Sequence, residues 1–317
     1  MAEATDNLLQ TSMGIEQVLP ASGYVSDGGL ETDLIFHRGV DLPEFASFPL
    51  VEDDAGRSLL RDYYDGYAAV ARRAGAGLTL ESPTWRANPD WGARVGYDGF
   101  GLDRVNAAAI GFLQELREGY ADLADVRIIG AVGPRGDGYA AGERVDADEA
   151  AGYHLGQVEA FARAGADLVA AYTLTGPEEG IGIVRAARSA GLPVLVGFTV
   201  ETDGRLPDGT TLHDAVARVD ETDAPDGYVV NCAHPTHVAP GLEPGDWLGR
   251  IVQLNPNAST QTHEELDAAE ELDEGDLDLL RTSYDALRPS SPGLRVVGGC
   301  CGTDARHVAA LWGQSGS

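Results

Sequence analysis

At 317 residues the chain can bury a large core as one domain or two small ones, and its 43% apolar content is ordinary for a globular protein. Fifty-one acids stand against 22 arginines with no lysine, a formal net charge of −29, which argues against a nucleic-acid partner because phosphates need cations opposite them. No apolar run approaches membrane-spanning length, and residues 1–20 lack a basic-then-apolar leader pattern, so a cytoplasmic location away from membranes is expected.

In chain order, residues 1–22 read as an N-terminal arm and 23–314 as a single domain. Tyr24-Val25-Ser26-Asp27 is a short strand running into Gly28-Gly29. Residues 58–74 carry Leu59, Leu60, Tyr63, Tyr67, Val70 and Ala71 on one helical face, stopped by Gly75. A strand follows over 78–81. A loop rich in Trp, Gly and Pro then leads to a helix over 106–118. Strand 126–132, helix 147–164, strand 168–172, helix 178–190 and strand 194–200 continue the alternation. After them come helix 212–220, strand 228–232, a Pro- and Gly-rich link with at most a helical turn, and a weaker strand over 251–254. Helix 276–287, strand 294–298 and helix 304–312 close the chain.

Eight strands result, most of them near-continuous apolar runs, as strands covered on both faces are. Arg73-Ala74-Gly75-Ala76-Gly77-Leu78 recurs as Arg163-Ala164-Gly165-Ala166-Asp167-Leu168, a helix end, its glycine stop and the next strand. The pattern predicts an α/β chain closed as a (β/α)8 TIM barrel. An open doubly wound sheet is the runner-up, and no Gly-x-Gly-x-x-Gly turn follows the first strand to support it.

Active sites of such barrels lie at the C-terminal ends of the strands. Asp27, Glu81, Tyr172, Thr173, Thr199, Glu201, Asn231, Cys232, Asn255, Asn257, Cys300 and Cys301 fall there. All three cysteines of the chain are among them. Three thiols can hold Zn2+ and leave its fourth position exchangeable, which catalytic zinc requires. Two blander arrangements stay open: three buried thiols acting as small core residues, or a closed structural site completed by His234 or His237. Asp27, beside Gly28-Gly29, could hold a substrate ammonium with backbone amides nearby. Trp85, Trp91, Tyr97 and Phe100 in the loop after the second strand suit an onium group or an apolar lid. The acids are spread along the whole length and densest over 264–276. Charge so distributed points to a salt-accumulating halophile rather than to a patch for a basic partner.

With Asp27-Gly28-Gly29, Asn231-Cys232 and Gly298-Gly299-Cys300-Cys301-Gly302-Thr303 in view, the chain resembles the zinc-dependent homocysteine S-methyltransferases from about Val25 to Leu311. Gly133-Pro134 and Leu206-Pro207-Asp208-Gly209-Thr210 add to the likeness. The resemblance implies a barrel with Zn2+ on Cys232, Cys300 and Cys301. It also implies methyl transfer to the thiolate of homocysteine, giving methionine. S-methylmethionine or S-adenosylmethionine is the expected donor, ahead of betaine-type compounds. Asp27, Gly28, Glu81, Tyr172 and Asn231 are the expected substrate contacts. The partners are then small molecules, and a homo-oligomer is left open. One departure stands out: many members carry a glutamate before the threonine that ends the fourth strand, where this chain has Tyr172-Thr173. Glu178 or Glu179 could compensate. Otherwise the acceptor is a different thiol or selenol, or the barrel is a non-enzymatic zinc-binding or thiol-sensing protein.

Overall fold

The computed structural model describes residues 14–139 and 145–314. Its elements run α1 (Ile15–Val18), β1 (Tyr24–Val25), α2 (Leu30–Thr32), α3 (Asp54–Ala74), β2 (Gly77–Glu81), α4 (Pro89–Arg94), α5 (Gly99–Gly119), β3 (Val126–Val132), α6 (Ala147–Ala164) and β4 (Leu168–Leu174). They continue α7 (Pro177–Ser189), β5 (Val194–Phe198), α8 (Leu212–Thr222), β6 (Gly227–Asn231), α9 (Pro235–Val238), β7 (Ile251–Asn255), α10 (His263–Asp267), α11 (Leu277–Leu287), β8 (Val296–Val297) and α12 (Ala305–Leu311). The strands pair in sequence order, all parallel, and β1 closes on β8. The expected closed barrel is therefore the fold, and the open sheet is excluded.

The glycine stops act as the repeat suggests. Gly75 and Gly165 end α3 and α6 with φ of 64° and 85°, and their amides cap the last helical carbonyls. The sequence reading differs from the structure mainly in the loops. Helix α5 begins at Gly99, capped by Asp98, seven residues before the expected start. The loop before it holds the extra helix α4, which the Asn88-Pro89 pair announces: Asn88 caps it and Pro89 fills its first position. Strands β1 and β8 are shorter than expected because the chain beyond them is drawn off into glycine-rich turns.

Two apolar layers hold the scaffold. Between strands and helices lie Leu60, Tyr64, Phe112, Phe161, Val196 and Phe198, all fully buried. Inside the barrel, Ile129, Leu168, Leu195, Val229, Val252 and Val296 come from alternate strand positions and fill it as a packed core. Val18 and Leu19 pack on this inner layer, so the end of the arm plugs the barrel floor; residues 1–13 of the arm lie outside the described residues. Among the described residues no helix is long and apolar enough to cross a membrane.

Candidate metal and substrate site

The three sulfurs meet above the C-terminal ends of β6 and β8, all within 4.8 Å of one another. Each is aimed by backbone constraint. Cys232 follows β6 at φ 56°, a region that non-glycine residues rarely enter. Its amide donates to the Asn255 carbonyl at 2.9 Å. Neighbouring residues of a strand point to opposite faces, so Cys300 and Cys301 can converge only after β8 gives way. It does so at Gly298-Gly299. The amide of Gly299 donates to the Asp27 carbonyl at 2.7 Å and that of Cys300 to the Pro256 carbonyl at 2.8 Å. Thr303 then donates to the Cys300 carbonyl through its amide at 3.0 Å and its hydroxyl at 2.7 Å. The cysteine turn is thereby stitched to β1.

The donor set fits zinc. Three soft thiols converge, and side-chain amides of Asn257 and Asn231 approach the Cys232 and Cys300 sulfurs at 3.7 and 3.9 Å. As free thiols the three share charge unequally. Hydrogen bonds from Cys300 and then Cys301 hold Cys232 well below the usual thiol range. The bond with Cys232 raises Cys300 and pushes Cys301 up to about 12. A divalent cation would favour all three thiolates together. No histidine joins the cluster among the described residues. The His234 ring bonds Thr236 through Nδ1 and caps α9, and neither His234 nor His237 joins the three sulfurs in one cluster. His263 braces the site from behind, its Nε2 2.8 Å from the Cys232 carbonyl and its Nδ1 2.9 Å from Glu201.

Beside the sulfurs opens a cleft of about 660 Å3, counting the space at its mouth. Asp27, Glu31, Glu81, Trp85, Tyr139, Tyr172, Asn231, Cys300 and Cys301 all reach it. Asp27 is 5% exposed; burial first, then the charges of Glu81 and Glu31, raise its pKa well above the usual carboxylate range. Burial also raises Glu81, opposed by hydrogen bonds. Ser26, Gln253 and Asn255 donate to the same Glu81 oxygen, Oε1, at 2.5, 2.9 and 3.3 Å. The Tyr172 hydroxyl adds a further hydrogen bond to the same carboxylate. Asn231 acts as a brace: its Oδ1 accepts from the Thr173 amide at 2.9 Å and its Nδ2 donates to the Thr173 hydroxyl at 2.8 Å.

Several sequence expectations need correction. Gly28 lines the cleft, but its amide donates to the Tyr63 hydroxyl at 3.1 Å, and that of Gly29 donates to the Thr303 carbonyl at 3.0 Å. Position 28 is glycine for packing: a Cβ there would stand 2.5 Å from the Tyr67 hydroxyl and 2.8 Å from the Thr303 carbonyl. Neither Glu178 nor Glu179 compensates for Tyr172. Glu178 pairs with Arg218 at the surface, and Glu179 is buried against His154 and the Arg135 amide. Glu81 does face Tyr172, whose hydroxyl helps to hold the Glu81 charge. Of the four loop aromatics only Trp85 lines the cleft. Tyr97 packs on Phe48 and Phe100 is 76% exposed.

Glu31 and Tyr139 are among the cleft residues that escaped the sequence reading. Glu31 lies four residues after Asp27, a spacing that a helical turn there would have flagged. Tyr139 comes from a glycine-rich loop with no periodicity. Its hydroxyl sits 3.2 Å from the Cys232 sulfur and 3.4 Å from that of Cys301.

A sequence profile of the homocysteine S-methyltransferase family matches residues 24–313. A homocysteine S-methyltransferase of Escherichia coli K12 is 28% identical over 312 residues, spanning 91% of this chain and 94% of that protein. Crystal structures of the homocysteine methyltransferase MmuM from Escherichia coli share the fold. The metallated form superposes with a TM-score of 0.70 at 23% identity and the apo form with 0.63 at 22%, each over 93% of this chain and 96% of that one.

Proposed function

Because the chain belongs to the homocysteine S-methyltransferase family, we propose that it moves a methyl group from an onium donor, S-methylmethionine or S-adenosylmethionine, to the thiol of homocysteine, giving methionine. The convergence of all three cysteine sulfurs beside an acid-lined cleft carries this reading. Cys232, Cys300 and Cys301 would hold a zinc ion, which when bound would acidify the acceptor thiol so that it reacts as a thiolate at neutral pH.

The chain's own groups supply binding and orientation. Asp27 and Glu81 grip the acceptor's ammonium from the ends of β1 and β2. Tyr172 takes the place of the glutamate found in many members, and Glu81 brings the missing carboxylate from across the barrel. Homocysteine therefore remains the fitting acceptor. Asn231 keeps the ends of β4 and β6 in register with Cys300. Trp85 and Tyr139 narrow the cleft and exclude water beside the sulfurs. No general base is needed, and no nucleophile–histidine pair lines the cleft among the described residues. The transferred methyl leaves its bonding pair on the donor sulfur, which departs as a neutral thioether.

The test is methionine formation from homocysteine with a panel of methyl donors, in high KCl, for the wild type and Cys300→Ala. The expected result is turnover with an onium donor in the wild type, and loss of both zinc and turnover in the variant. Normal turnover by Cys300→Ala would overturn the reading.

A further inference from the structure

We infer that Glu31 is the counter-charge for the donor's onium centre and restricts the enzyme to donors of net positive charge, a step that rests on the methyl-transfer reading above. The cleft holds three carboxylates, whereas an amino-acid acceptor offers one ammonium. Asp27 and Glu81 match that ammonium. Glu81 sits with Gln253, Asn255 and Tyr172, on the side formed by β4 and β7. Glu31 belongs to a different wall. It is anchored by the Ser47 hydroxyl at 2.6 Å, and that hydroxyl also reaches the Pro83 carbonyl at 3.3 Å. Phe45, Pro83 and Trp85 line the cleft with it, and it lies close enough to Cys301 for the two charges to oppose each other.

Among the described residues Arg86 favours the Glu31 charge only from a distance, and Glu31 forms no ion pair. The Arg86 guanidinium is instead stacked between Trp85 and Trp91 at 4.6 and 3.4 Å from their ring centres. A carboxylate held beside apolar and aromatic surface without a paired cation is costly, and its cost is offset when a ligand brings the opposite charge. Aromatic faces next to a carboxylate attract an onium group. The reacting thiolate belongs beside the cysteine sulfurs, so the donor's charged sulfur must arrive on the Cys301 side, which Glu31 faces.

The chemistry sharpens the choice of donor. S-methylmethionine carries a sulfonium and an ammonium against one carboxylate. Glycine betaine and dimethylsulfoniopropionate are neutral overall, and their own carboxylate would meet three others in the cleft. During transfer the donor's methyl–sulfur bond breaks, its electron pair stays on that sulfur, and a new methyl–sulfur bond forms on the acceptor. Glu31 takes no proton. Its attraction is strongest for the charged donor and vanishes for the thioether product, so it contributes to donor affinity and to release of product rather than to the rate of the chemical step.

The experiment titrates S-methylmethionine and methionine separately into zinc-loaded protein without acceptor, following heat, for the wild type and Glu31→Gln. The wild type should bind the sulfonium in preference to methionine. Glu31→Gln should lose about tenfold of that preference, raise the donor KM by a similar factor with kcat not lowered, and leave homocysteine affinity unchanged. Should Glu31→Gln fold poorly, Ser47→Ala keeps the charge while freeing it, and should retain a weakened preference. An unchanged preference, or a fall in homocysteine affinity instead, would overturn the assignment. A wild type that prefers the sulfonium yet methylates no homocysteine would sink the methyl-transfer reading and leave the Glu31 contact standing.

Discussion

Glu81→Gln tests the acceptor cradle without disturbing its frame. The amide oxygen of the new side chain can still accept from Ser26, Gln253 and Asn255, the three donors that now converge on Oε1. What disappears is the negative charge. One charge-assisted hydrogen bond contributes about 1.5–3 kcal/mol, or about 10- to 150-fold in affinity. Asp27 remains to share the ammonium, so the lower half of that range is expected for homocysteine binding to the zinc-loaded protein by calorimetry. Zinc content should stay at the wild-type level, since Glu81 touches no sulfur. The melting temperature should not fall, because burial already disfavours the Glu81 anion and the amide relieves that cost. Unchanged homocysteine affinity with zinc intact would mean the ammonium is held elsewhere. A collapse in stability would mean the charge is structural.

Gly299→Ala should detach the metal site while leaving the barrel folded. Its Cβ would stand 2.0 Å from the Thr303 hydroxyl that holds the Cys300 carbonyl, so zinc affinity falls with far-ultraviolet circular dichroism preserved, and full zinc retention would refute this. The net charge of −29 leads us to propose that compactness depends on screening, so the melting temperature should rise with KCl; equal stability without salt would defeat the halophile proposal. His37 is raised above its usual pKa, first by its bond to Asp33 and then by Glu274. A folded-state value above the unfolded one stabilises below the unfolded pKa and is lost as pH rises through the folded value, so His37→Gln should lower the melting temperature more at about pH 6 than at about pH 9; an equal deficit at both would contradict the linkage.

The scaffold was legible because its signals are local. Helical periodicity over 58–74, the paired Arg-Ala-Gly stops and the apolar strand runs each depend on a few neighbouring residues. The cysteine cluster was legible for a similar reason: three cysteines at strand ends leave little freedom once the barrel closes. The acid side was harder. In the proposed cradle Glu81 replaces the carboxylate missing at position 172 through a contact across the barrel interior, between strands that are not neighbours in the sheet. No spacing along the chain reports such a contact. Glu31 and Tyr139 sit in irregular segments, where side-chain direction follows from the turn rather than from a period.

Two of the four left-handed non-glycine residues among the described residues fall where the two halves of the site meet. Thr173 at φ 62° and Cys232 at φ 56° are non-glycine residues in the left-handed region; such residues cost on the order of 1–3 kcal/mol each. A β-branched residue in particular would not stay there unaided. Asn231 supplies the restraint for the first: it bonds both the amide and the hydroxyl of Thr173. Being the residue before Cys232, it also anchors the second, and its amide nitrogen approaches the Cys300 sulfur at 3.9 Å. One buried side chain thus links the strand end that carries Tyr172, the strand end that carries the first thiol, and the turn that carries the second. Small displacements on the acceptor side are therefore felt at the sulfurs, which is the coupling an enzyme needs when the amino-acid end of its acceptor and the reacting thiol must be placed at once.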